Sequence, residues 1–118
     1  MTKVLVTGVS GQLGRLIADS LLTKFSQTHE IYGTTRNPDK VEDLVARGLR
    51  VRKADFADEA SLQDAFKGID RVLIVSVPDI TPGARRKAEA AAIDAAIAAG
   101  VKHIVYSGVA RATADSVL

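Results

Sequence analysis

The chain has 118 residues, 47% of them hydrophobic and 25% charged, and its 16 basic against 14 acidic residues leave a formal charge of +2. This is enough apolar material for one core and an ordinary charge load for a soluble domain, and no long basic stripe offers nucleic acid a footprint. Cysteine is absent, which excludes disulfides, thiol catalysis and cysteine-held zinc, and the two isolated histidines make a poor metal site.

The first predicted element is the apolar run Lys3-Val4-Leu5-Val6-Thr7, read as a strand. Gly8, Gly11 and Gly14 follow it, and Leu13, Leu16, Ile17, Leu21 and Phe25 then recur at helical spacing. Glycines between a strand and a helix start have separable tasks. One allows the tight turn, one lets the backbone approach a pyrophosphate, and one lets the helix pack closely on the sheet. The free N–H groups of the helix start then face the anion, so no lysine is needed. The candidate phosphate loop runs from Thr7 to Gly14 and takes in Gly8, Ser10, Gly11, Gln12 and Leu13.

The same strand-and-helix sentence repeats along the chain. Glu30 to Thr35 reads as the second strand, with Asn37 as a cap, Pro38 at the first helical position, and Val41, Leu44 and Val45 on the inner face. Leu49 to Lys53 is the third strand, followed by Asp58 as a cap and a buried stripe of Leu62, Ala65 and Phe66. Arg71 to Val75 is the fourth, and Thr81-Pro82 opens a long helix in which Ile93, Ala96 and Ile97 line up. His103 to Ser107 is the fifth strand.

Runs such as Val72-Leu73-Ile74-Val75 do not alternate with polar residues, as expected of a parallel sheet covered on both faces. The predicted fold is therefore α/β, a doubly wound parallel sheet of Rossmann type with strand order 3-2-1-4-5 and one domain over residues 1–118. The crevice then opens between strands one and four, at the glycine loop. Gly8, Arg36, Asp55, Ser76 and Ser107 fall at that edge of the sheet, whereas Asp70, Lys102 and His103 fall at the other. His29 and His103 accordingly read as surface residues rather than catalytic bases.

Sheets that bind NAD commonly place an acid at the tip of the second strand, for the ribose hydroxyls. Here that tip reads Gly33-Thr34-Thr35-Arg36. The Arg36 fork suits a 2′-phosphate, with Lys40 as a second cation, so NADP is expected in preference to NAD. Asp55 is placed to accept from the adenine amino group, Phe56 either packs on adenine or joins the core, and Ser76 and Val77 pass beneath the cofactor. No signal peptide is expected, because Met1 leads directly into a strand. Ala88 to Ala99, the longest apolar stretch, is broken by Glu89 and Asp94, so neither is a membrane span, and a cytoplasmic protein is the expectation.

The opening Val4-Leu5-Val6-Thr7-Gly8-Val9-Ser10-Gly11-Gln12-Leu13-Gly14, with Thr35-Arg36-Asn37-Pro38, Lys53-Ala54-Asp55-Phe56 and Ala99-Gly100-Val101-Lys102-His103, resembles the NmrA-like atypical short-chain dehydrogenases. It is most similar to their NADPH-dependent quinone oxidoreductases of the second type. The resemblance implies NADP at Gly8 to Gly14 and Arg36, and a quinone or similar small molecule as hydride acceptor. Members of that family continue into a small C-terminal lobe that forms much of the substrate pocket, which implies that the substrate lobe is absent from these 118 residues. The Tyr-x-x-x-Lys pair of ordinary short-chain dehydrogenases is also missing, since Ala110 stands four residues after Tyr106 and Arg36 four after Tyr32. No catalytic residue is assigned. Two functions fit: an NADPH-dependent oxidoreductase, and a noncatalytic NADP-binding redox sensor or regulatory module. The largely apolar fifth strand would present an open edge, which is read as truncation or as a surface for homo-oligomer formation.

Overall fold

In the computed structural model, which describes residues 2–55, 58–75 and 82–107, five short runs pair as parallel strands. They are β1 (Thr2–Val6), β2 (His29–Thr35), β3 (Arg50–Lys53), β4 (Arg71–Val75) and β5 (His103–Ser107), in the order β3-β2-β1-β4-β5. The register runs Val4↔Ile31 and Val6↔Gly33 on one side of β1, and Val4↔Arg71 and Val6↔Leu73 on the other. The order turns back on itself beside β1, so the predicted switch point is where the sequence placed it, and the fold is the expected Rossmann-type α/β sheet.

Side chains alternate between two cores, as the period of a strand requires. Val4, Val6, Ile31, Leu73 and Val75 face one side, where α1 (Gln12–Phe25) and α2 (Glu42–Ala46) cover them with Ile17, Ala18, Leu21, Leu22 and Leu44. Leu5, Tyr32, Val72 and Ile74 face the other, under α3 (Glu59–Phe66) and α4 (Pro82–Ala98). Phe66, fully buried there, is the largest such side chain among the described residues, and burying one of that size contributes about 1.5–3 kcal/mol of transfer free energy.

Three helix-face assignments are corrected by the fold. Leu16 is 66% exposed, because α1 meets the sheet along Gly14, Ile17, Ala18, Leu21 and Leu22, and Leu16 lies about 200° around the helix from both Gly14 and Ala18. Ile97 is likewise exposed, since α4 docks on Ala92, Ala95 and Ala96. Val45 is exposed because the segment begins as a tight 3₁₀ turn, Pro38–Val41, before the single α-turn of α2; the change of period buries Val41 and Leu44 and turns Val45 outward. Asn37 precedes that turn but makes no side-chain cap bond. Asp58 does cap α3, accepting from the Ser61 N–H at 3.3 Å. Thr81 lies outside the described residues.

At the N-terminal edge of the sheet, Asp70 ties three strands together. Its carboxylate accepts the Lys3 N–H at 2.9 Å, its own N–H donates to the Lys3 carbonyl at 2.9 Å, and its carbonyl accepts from Lys102 and His103. The Lys3 N–H, with the Lys102 ammonium 3.8 Å away, holds the Asp70 carboxyl below the usual carboxylate range. As expected, His103 starts a strand at this edge and is exposed.

Candidate functional site

Thr7 continues β1 by one residue. Its N–H donates to the Leu73 carbonyl at 3.0 Å, and its fully buried hydroxyl accepts the Val75 N–H at 2.9 Å. What Thr7 does is fasten the ends of β1 and β4. The chain then turns at Gly8, whose φ of +64° suits glycine. The Gly11 N–H closes the turn on the Gly8 carbonyl at 3.0 Å.

Gly14 allows α1 to start directly against that turn. A Cβ at this position would collide with the Gly8 carbonyl oxygen and lie 2.8 Å from the carbonyl carbon. Gly11 is the N-cap and supplies no side-chain bond, so the N–H groups of Gln12 and Leu13 have no protein partner among the described residues. The helix start is thus an open set of donors carrying the positive end of the helix dipole. Gln12 is exposed, whereas the Leu13 side chain packs against the core.

The tip of β2 holds the loop from the other side. Val9 is fully buried and sits on Gly33, where a Cβ would lie 2.6 Å from Val9 Cγ1; its N–H donates to the Thr34 carbonyl at 3.0 Å. The Gly8 N–H reaches Thr34 Oγ1 at 3.4 Å. Thr35 Oγ1 accepts the Asn37 N–H at 3.0 Å and donates to Ser10 Oγ at 3.1 Å, which leaves the hydroxyl proton of exposed Ser10 available to an incoming acceptor. Gly33, Thr34 and Thr35 were not among the expected site residues. Thr34 and Thr35 are buried polar side chains at a strand end, a pattern that points to a bonded partner but does not name it.

Arg36 and Lys40 are both exposed, and neither side chain has a hydrogen-bonded or ionic partner among the described residues. Residues 33–37 carry no carboxylate. Asp55 is half-buried after β3; the Ala54 N–H bonds the Thr35 carbonyl at 3.2 Å, so Asp55 adjoins the same tip. The fold therefore gathers the loop from Thr7 to Gly14, Arg36, Lys40 and Asp55 at one edge. Phe56, Ser76 and Val77 lie outside the described residues. No helix among the described residues is long and apolar enough to cross a membrane.

The chain is 38% identical over 109 residues to quinone oxidoreductase 2 of Escherichia coli, a match that covers 92% of this chain and 37% of that protein. It is 33% identical to an NAD(P)H azoreductase of Xenophilus azovorans, across 96% of this chain and 37% of the relative. Among solved structures, the triphenylmethane reductase of Citrobacter sp. complexed with NADP(H) superposes with a TM-score of 0.83 at 38% identity, covering 92% of this chain and 38% of that one. An NADPH-dependent quinone oxidoreductase from Escherichia coli complexed with NADPH gives 0.79 at 39% identity, over 87% of this chain and 35% of that one. The chain thus spans little more than a third of the length of these relatives. The NmrA-like family model matches residues 1–117, and with the glycine loop and parallel sheet described above, this chain belongs to the NmrA-like family.

Proposed function

We propose that residues 1–118 form the NADP(H)-binding unit of an NADPH-dependent oxidoreductase that acts on a quinone or similar small acceptor. One observation carries the reading: an uncapped helix start at Gly11–Leu13, locked through Ser10 and Thr35 to a strand tip whose residues 33–37 present exposed Arg36 and no acid, with exposed Lys40 in the turn that follows. The residues fit a dinucleotide. Gly14 gives the close helix approach that a pyrophosphate site needs, the free N–H groups receive the anion, and the planar Arg36 fork matches a 2′-phosphate with Lys40 beside it. Asp55 takes the adenine amino group. When bound, NADPH supplies the hydride. The relatives crystallised with NADPH or NADP(H) support the cofactor, and those named quinone oxidoreductases support the acceptor class.

A noncatalytic NADP-binding module is the second reading. It accounts for the same phosphate loop and strand tip without a catalytic residue: Tyr32, the tyrosine four residues before Arg36, is buried in the core with the Arg52 guanidinium 4.5 Å above its ring. Calorimetric titration with NADPH and, separately, NADH tests the cofactor, with selective NADPH binding expected and no binding refuting the proposal. Quinone-dependent oxidation of NADPH above a heat-inactivated control then separates enzyme from sensor.

A further inference from the structure

We propose that Arg15 is a positioning residue for cofactor choice: it fixes the segment carrying Arg36 and Lys40 to the helix of the phosphate loop, and so sets the preference for a 2′-phosphorylated dinucleotide. The proposal rests on the cofactor reading above.

Arg15 stands four residues into α1, where a cation opposes the helix dipole and no acid in the first turn offsets it. Its placement is explained by what it reaches instead. Nη1 bonds Asp43 Oδ2 at 2.7 Å, and Nη2 bonds both Asp43 Oδ1 at 3.1 Å and the Lys40 carbonyl at 2.8 Å. One planar group thereby holds a carboxylate of α2 and the backbone of the 3₁₀ turn at once, a three-bond pattern that a lysine ammonium does not reproduce.

The chain from 35 to 43 is pinned at both ends. Thr35 is bonded to Ser10 of the loop, and Lys40 and Asp43 are bonded to Arg15 of the following helix. Arg36 lies between these anchors. The pairing also neutralises Asp43, which stands three residues from Lys40 and would otherwise oppose an incoming phosphate. A separate tie joins the same two layers: Arg47 bonds Asp19 and, at 2.7 Å, Thr23 Oγ1. Because of that tie, loss of Arg15 frees the turn without detaching α2 from α1.

The test is titration of wild type, Arg15→Met, Asp43→Ala and Arg36→Ala with NADPH and NADH, with folding checked by urea unfolding. Arg15→Met is expected to weaken NADPH by about fivefold, the scale of a well-formed exposed bidentate pair, and to leave NADH unchanged. Asp43→Ala is expected to do the same, because it removes the anchor while keeping the cation. An equal loss for both cofactors in Arg15→Met, or stronger NADPH binding in Asp43→Ala, overturns the proposal, the latter because Arg15 would then act as a bare charge. If Arg36→Ala abolishes the preference and Arg15→Met does not alter it, the positioning role alone is refuted. If wild type shows no preference, or Arg36→Ala leaves it intact, the cofactor reading falls and this proposal falls with it.

Discussion

The hydroxyl of Thr7 accepts the backbone N–H of Val75 at 2.9 Å, and it does so fully buried, where the C-terminal ends of β1 and β4 lie side by side. Thr7→Val keeps the shape and removes the acceptor, leaving a buried donor unpaired, which costs about 1–3 kcal/mol. Urea unfolding should report that loss, and Thr7→Ser, which keeps the oxygen, should recover most of it. Equal stability of the valine and serine variants would show that the bond contributes nothing.

The glycines of the loop should separate into two kinds. Gly14→Ala drives a methyl group into the Gly8 carbonyl, so it is expected to destabilise the fold by about 1–3 kcal/mol and to abolish both NADPH and NADH binding. At Gly11 the nearest atom to an added Cβ is the Gly8 oxygen at 3.5 Å, an ordinary contact. Gly11→Ala should therefore keep its stability to within about 1 kcal/mol while both cofactors weaken. Normal binding by that variant would mean that the loop does not approach the pyrophosphate.

Arg36→Ala tests the ribose end. A hydrogen bond to a charged group contributes about 1.5–3 kcal/mol, so NADPH should weaken by about ten- to a hundredfold with NADH little changed. Equal weakening of the two would assign Arg36 to support of the loop.

Acid should reveal the two anchored carboxylates. The Asp70 carboxyl is held low chiefly by the Lys3 N–H, and that of Asp43 chiefly by its bond from Arg15. A carboxyl depressed on folding gives stability that is present above its unfolded pKa, near 4, and is lost as pH falls through the folded value. Stability followed by urea unfolding should thus decline below about pH 5. Asp70→Asn should flatten that decline, and an unchanged acid limb would remove Asp70 from its origin.

The strands and the glycine loop were legible because each has its own local signal. β4 and β5 occur over the residues expected, and glycines at a strand-to-helix junction leave few other backbone solutions. Helix faces were less legible, since the line of closest approach follows small residues. Gly14 and Ala18 draw α1 onto the sheet and Ala92, Ala95 and Ala96 draw in α4, so the bulkier Leu16 and Ile97 face outward against their hydropathy. The second half of the site, Gly33 under Val9 and Thr35 on Ser10, joins positions more than twenty residues apart, and no spacing along the chain encodes such a contact.

The uncapped start of α1 divides the site by chemistry. Its donors are peptide groups, which neither titrate near neutrality nor react with acylating or carbonyl reagents, whereas the neighbouring strand tip presents a guanidinium and a primary amine. On the proposed reading, acylating Lys40 or derivatising Arg36 would change which dinucleotide is held and leave the hold on the pyrophosphate in place. Cofactor preference would then be open to revision, by mutation or by covalent modification, at a surface whose alteration leaves both cores untouched.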